Sequence, residues 1–233
     1  LKRVYLELGG KSPHVVFDDI ADLEAAAQAV VAGIFRNSGQ VCIAGSRLLV
    51  QDSIHDAFVE KIVALTEAMR VGDPLNLETQ IGAMSSDAHL NRVLQSLESV
   101  KSIVTGGERI LTETGGYYMR PAIVTDMGPE DRLVREEIFG PVLTVTRFTS
   151  EEDAVTLANA TELGLAAGVW TSNLSRAHRM VSALRAGVVH VNTYGGADNT
   201  VPLGGYKQSG NGQDKSLHAL EKYMNKKTAW IKL

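Results

Sequence analysis

Between Glu151 and Asn192 the apolar residues switch repeatedly between helical and strand spacing. Glu151 to Ala160 reads as helix, Ala166 to Thr171 as strand, Leu174 to Ala186 as helix and Val188 to Asn192 as strand. Strands separated by helices cannot close as hairpins, so they line up parallel with the crossover helices covering the sheet. The pattern therefore predicts an α/β domain whose largely parallel sheet is flanked by helices. In such sheets ligands collect at loops beyond the carboxyl ends of the strands, which draws attention to Asn192 and the glycine-rich loop from Tyr194 to Gly212. At 233 residues the chain is long enough for one large domain, or a domain with an appended arm.

The earlier part of the chain fits the same class. Strand-like pieces fall at Arg3 to Leu8 and His14 to Phe17. Asp22 then caps a helix whose Leu23, Ala26, Ala27, Val30, Ile34 and Phe35 share one face, with Gly39 as its end. A strand from Arg47 to Val50 leads to a helix with Ser53 as cap, Asp56 in the capping-box position and an apolar face of Ile54, Phe58, Ile62, Leu65 and Met69. After the Gly72-Asp73-Pro74 loop, Ser86 caps a helix from Asp87 to about Val100. Lys101 to Phe148 reads as short strands broken at Gly106-Gly107, Gly115-Gly116 and Pro141. The final piece, a helix from Asp214 to Tyr223 and a strand-like Thr228 to Leu233, reads as an arm. A division into residues 1–206 and 207–233 is the expectation.

Charge and composition exclude several function classes. The net charge is −4 and the basic residues are scattered, so nucleic acid is not an expected partner. The most apolar run, Ala25 to Phe35, is interrupted by Gln28 and Gly33 and is too short to cross a bilayer. No secretory leader pattern opens the chain, and a single cysteine fits a reducing cytoplasm. The six histidines show no metal-ligand spacing, so no metal is expected, and His190 reads as a satisfied sheet residue. Lys11 and Lys207 sit beside glycines but in no phosphate-loop pattern, and read as loop residues.

The lone Cys42 lies in Asn37-Ser38-Gly39-Gln40-Val41-Cys42-Ile43-Ala44-Gly45-Ser46, small and polar surroundings that suit a reactive thiol better than core packing. The alternative is an inert buried thiol. Glu7, between Leu6 and Leu8 and followed by Gly9-Gly10-Lys11, is a candidate general base if an interface desolvates it, or else a solvent-facing strand glutamate.

Taken together, these stretches resemble the aldehyde dehydrogenase superfamily along the whole chain. The family's Glu-Leu-Gly-Gly-Lys motif stands at Glu7 to Lys11, its Gly-Gln-x-Cys motif at Gly39 to Cys42, and its Glu-Glu-Ile-Phe-Gly-Pro signature at Glu136 to Pro141. Asn192, Pro202-Leu203-Gly204-Gly205 and Lys207-Gln208-Ser209-Gly210 follow in family order. The resemblance implies the family's catalytic-domain fold, without the amino-terminal dinucleotide-binding domain that precedes the first motif in family members. It also implies a fragment beginning at Leu1, and a carboxyl-terminal strand that pairs with a neighbouring subunit in a homo-oligomer. The implied cofactor is NAD or NADP, contacted by Glu137, Phe139, Leu8 and Gly9, with Glu137 accepting from ribose hydroxyls and Phe139 facing the same side of an extended segment. The implied substrate is a small-molecule aldehyde, with Asn192 and Tyr194 touching it or supporting the cysteine loop. Ser209 to Tyr223 looks like the branch that oxidises ω-aminoaldehydes, including γ-glutamylated ones, although Gln213 stands where close relatives carry Arg.

The implied chemistry is covalent. The Cys42 thiolate adds to the aldehyde, hydride leaves to the nicotinamide, and water activated by Glu7 hydrolyses the thioester. If Cys42 follows a helix carboxyl end, the helix dipole disfavours its thiolate. Stabilisation is then expected from backbone amides, from Glu7 through water or from the bound cofactor, with the Cys42 amide as an oxyanion donor. Two alternatives from other classes are a cysteine-dependent esterase using a distant histidine, and a catalytically silent unit that keeps only fold and oligomer contacts.

Overall fold

Valines and leucines alternate in direction along the central strands and so build two cores at once. The computed structural model describes residues 1–196 and 198–233. Its main sheet has seven strands: β1 (Pro13–Val16), β2 (Arg47–Gln51), β3 (Ile103–Thr105), β4 (Ala122–Val124), β5 (Val142–Phe148), β6 (Ala166–Trp170) and β7 (Val188–Val191). The spatial order is β7-β6-β1-β2-β5-β4-β3, with every pair parallel except the antiparallel β3 and β4.

Val16, Leu48 and Val50 point to one face, where they pack with Val30, Ile34, Phe58 and Ile62 of α1 (Leu23–Phe35) and α2 (His55–Glu67). Their neighbours Val15, Phe17 and Leu49 point to the other. There they meet Ala154, Ala158 and Met180 of two further helices, Glu151–Asn159 and Leu174–Ala183. Each such aliphatic or aromatic side chain removed from water contributes roughly 1.5–3 kcal/mol. A third cluster, under Asp87–Leu97, covers the β4 end of the sheet. Among the described residues no helix is long and apolar enough to cross a membrane.

The expected caps of two helices form. Asp22 Oδ1 accepts from Ala25 N–H at 2.9 Å, and Ser86 Oγ accepts from His89 N–H at 3.2 Å. Ser53 does not cap α2. Its hydroxyl donates to Asp18 Oδ2 at 2.8 Å, and a 3₁₀ turn over Asp52–Ile54 leads into the helix instead. Arg3 to Leu8 is not a strand of the sheet either. Its backbone meets the 209–212 segment through Leu8 N–H to Ser209 O at 3.0 Å and Gly212 N–H to Leu6 O at 2.8 Å. The alternation of Val4, Leu6 and Leu8 thus belongs to a contact with distant chain, and all three side chains remain exposed.

The carboxyl-terminal piece also differs from expectation. Gln213–Asp214 pairs with Leu203–Gly204, Leu217–Tyr223 is a 3₁₀ helix rather than an α-helix, and residues 224–233 form no strand within the chain. Trp230 and Ile231 are exposed there.

Arg47 is fully buried at the start of β2. Its Nε donates to Lys11 O at 2.9 Å, and its other nitrogens donate to Leu157 O and Ala158 O at 2.9 and 2.7 Å, joining the entry to β1 to the end of the Glu151–Asn159 helix. Lys207 serves the same helix end through Asn159 O and Thr161 O.

Candidate active site

Glu7 precedes β1, Cys42 precedes β2 and Glu137 precedes β5. These strands are parallel neighbours in the order β1-β2-β5, so three segments far apart in sequence arrive at one edge of the sheet. That edge is the amino end of the strands. The expectation of a site at the carboxyl ends is therefore corrected for these groups, because the chemistry-bearing residues lie in the segments that enter the strands.

Glycine makes the approach close. A side chain at Gly10 would sit 2.1 Å from the Cys42 carbonyl oxygen, and one at Gly9 would sit 2.2 Å from Glu137 Oε2. Gly10 N–H donates to Glu137 Oε1 at 2.9 Å. On the other flank, α1 ends at Phe35 and a tight turn runs through Asn37, Ser38 and Gly39, all at positive φ. This turn lifts Cys42 out of the helical path and leaves it exposed.

The electrostatics of the thiol oppose one another. Partial desolvation pushes the Cys42 thiol above its ordinary pKa. The backbone amides of Ile43 and of Cys42 itself pull it down, and the charges of Glu7 and Glu137 push it up again. Glu7 is raised above the usual carboxylate range, first by desolvation and then by Asp214, with Lys222 acting the other way. Glu137 is raised by desolvation against the Gly10 amide and Lys11. Lys11 is no loop lysine in solvent. It is buried, and desolvation with Arg47 pushes its pKa down to about 7.

Tyr194 supports the nucleophile loop from the opposite side. Its hydroxyl donates to Ile43 O at 2.6 Å, and its ring lies 3.9 Å from the His14 ring, centroid to centroid. His14 is fully buried in a notch where Gly45 and Gly33 leave room. Its Nδ1 accepts from Trp170 Nε1 at 3.4 Å and its Nε2 has no partner among the described residues; burial holds the ring neutral with a pKa of about 3. His190 also lies beside Tyr194 in a tilted contact; the Ala167 backbone bonds its ring, while its buried Nδ1 has no partner among the described residues, so the expected satisfied sheet residue is met only in part.

The remaining expected residues divide. Leu8 is exposed, with its amide bonded to Ser209 O. Phe139 is 39% exposed with a φ of +55°, so the run from Glu137 is not simply extended and two-residue alternation does not set its direction. Its carbonyl accepts from His89 Nε2 at 2.6 Å. Asn192 is not at the thiol edge in its side-chain bonding. Its Oδ1 accepts from Thr171 N–H and its Nδ2 donates to Thr171 O, at 3.0 and 2.9 Å, so the amide clamps a turn. Sequence reasoning missed Lys11, His14 and Asp214. Only the glycines beside Lys11 hinted at close packing there.

One oxygen of Glu137 is anchored on Gly10 while the residue stays open to solvent, beside a cavity of about 570 Å³. An anchored carboxylate with a free edge fits a pair of ribose hydroxyls, and the exposed Phe139 ring fits a planar neighbour.

The sequence model of the aldehyde dehydrogenase family matches residues 1–229. The NADP/NAD-dependent aldehyde dehydrogenase PuuC of Escherichia coli (strain K12) is 51% identical, over all of this chain and 47% of its own length. The crystal structure of the aldehyde dehydrogenase KauB from Pseudomonas aeruginosa superposes with a TM-score of 0.98 at 52% identity, covering 100% of this chain and 48% of that one. A P. syringae indole-3-acetaldehyde dehydrogenase, solved as a mutant with NAD+ and IAA, does so at 0.97 and 49%, with coverage of 100% and 48%. The chain thus spans about half the length of the relatives it matches.

Proposed function

Since the chain belongs to the aldehyde dehydrogenase family, we propose that it is the catalytic portion of an NAD(P)-dependent enzyme oxidising an aldehyde to a carboxylic acid. The supporting observation is an exposed Cys42 whose backbone Gly10 touches, with Glu7 and Glu137 both acting on its thiol.

The Cys42 sulfur attacks the aldehyde carbon, and the tetrahedral adduct's oxygen is stabilised by the loop amides at Cys42 and Ile43. When bound, the oxidised nicotinamide accepts the hydride. A thioester on Cys42 remains, and Glu7 takes a proton from the water that hydrolyses it. A raised Glu7 pKa suits this step, because it makes the carboxylate a stronger base toward the water. Glu137, with Phe139, Leu8 and Gly9 around it, orients the cofactor. Tyr194 holds the loop that carries the thiol. Residues 1–206 form the catalytic unit, and 207–233 form an arm whose exposed end joins a second copy. The substrate belongs to the γ-glutamyl-amino or ω-amino aldehydes, and the lone exposed thiol suits the reducing cytoplasm.

Reduced-cofactor absorbance and mass spectrometry test the reading together. An aldehyde with NAD+ or NADP+ should give cofactor reduction, and Glu7→Gln should leave an acyl adduct on Cys42. Cofactor-independent ester cleavage that is lost on mutating a histidine would instead support the esterase reading.

A further inference from the structure

A cavity of about 710 Å³ borders the nucleophile loop. Val41 and Ile43, the two neighbours of Cys42, form part of its wall together with Tyr194 and Ala32. Its charged lining consists of Arg36 and Lys215, and no carboxylate lines it. Glu7 and Glu137, whose charges push the Cys42 thiol up, and Asp214, which pushes Glu7 up, are absent from this wall.

We propose that Arg36 and Lys215 form a subsite for the carboxylate tail of the aldehyde substrate. The inference rests on Cys42 being the nucleophile. Cys42 itself is not part of this wall, so an aldehyde at the sulfur would reach the cavity past Val41 and Ile43, whose apolar side chains suit methylenes, with the two cations beyond. Arg36 forms no ion pair among the described residues, so its guanidinium keeps its donors for a ligand and can grip a carboxylate with two of them.

Two features oppose this charge, and neither cancels it. Arg36 stands at the carboxyl end of α1, whose dipole amounts to about half a negative charge there. Asp198 feels Lys215, but its carboxyl is engaged chiefly by Thr200 and lines the adjoining cavity. The wall therefore stays cationic and disfavours aldehydes that end in ammonium. Within the two substrate classes considered above, this favours γ-glutamylated aldehydes, whose zwitterionic tail offers a carboxylate to balance its ammonium, over simple ω-amino aldehydes, which carry the cation alone.

The test is alkylation of Cys42 by two haloacetamides of equal length, one ending in a carboxylate and the other in a neutral amide. The ratio of their rate constants should fall more than about threefold in Arg36→Gln and recover in Arg36→Lys, and the difference should shrink at high salt. The amide-tailed reagent reports in the same experiment whether the loop is still folded. A smaller fall in Arg36→Gln, or an ammonium-tailed reagent outpacing both others on the unmodified protein, overturns the subsite. The same ratio in kcat/KM for carboxylate-tailed and amide-tailed aldehydes should follow. Absence of turnover with every aldehyde would count against the dehydrogenase reading alone, because the alkylation ratio needs neither cofactor nor turnover.

Discussion

The two sides of Cys42 are built on opposite principles. On one side, carboxylates crowd a thiol that they make harder to ionise, and the contact is backbone against backbone, with Gly10 on the Cys42 carbonyl and Gly9 beneath Glu137. On the other, the neighbours of the same thiol face an open cavity with two cations. The first side is tight because glycines let the segments meet there with no side chain between them. The second can be wide, because a substrate chain needs only direction and charge. The contrast teaches that reactivity and selection can be altered separately at this sulfur.

The strongest way to break the contrast is to remove its centre. Cys42→Ser should lower cofactor-coupled aldehyde oxidation by roughly four orders of magnitude or more, read as the rate of NAD(P)H formation. Next, Glu7→Gln should slow thioester hydrolysis by about 10²–10⁴-fold, with the acyl enzyme seen by mass spectrometry. The same variant carries a signed pH effect. Deleting a negative charge that raises the thiol pKa lowers that pKa, so the alkylation profile of Cys42 should move to lower pH. It should stay above that of a free thiol, because desolvation is the larger cause.

Gly10→Ala sharpens the tight side. A methyl group 2.1 Å from the Cys42 carbonyl forces a backbone shift. It should cost about 1–3 kcal/mol in denaturant unfolding and reduce turnover even though no functional group is lost. Asp214→Asn removes the second cause that raises Glu7. Glu7 then ionises at lower pH, and the acid limb of the kcat profile should shift the same way. Tyr194→Phe should be the mildest change. Losing the bond to Ile43 O should cost about 1 kcal/mol in stability and raise the thiol pKa slightly as the loop amides loosen.

Much of this was legible in the sequence where periodicity carries it. The Asp22-capped helix, the Ser86-capped helix and the alternation from Glu151 to Val191 follow from local spacing, and they form within a few residues of where the pattern places them. The motifs around Glu7, Cys42 and Glu137 were legible through their likeness to the family's motifs, while local composition alone marked only Cys42. Their meeting was not, since it depends on β1, β2 and β5 lying side by side, and strand order is a tertiary fact. Arg3 to Leu8 misled for a related reason, because its alternation matches a loop two hundred residues away. Ser53 misled because Asp18 competes for its hydroxyl. The burial of His14 left no trace in composition, and that of Lys11 only the glycines beside it, since a charged or polar residue in a short segment is read as solvent-facing by default.

The contact between Gly10 and the carbonyl of Cys42 has a consequence for anyone reshaping this site. Two main chains in touch have no rotamer left to adjust, so the spacing between the Gly10 and Cys42 backbones is a hard stop. Redesign for bulkier or differently charged substrates therefore has one direction in which to work, outward from Arg36 and Ala32, while the opposite wall is held constant like the fixed jaw of a vice.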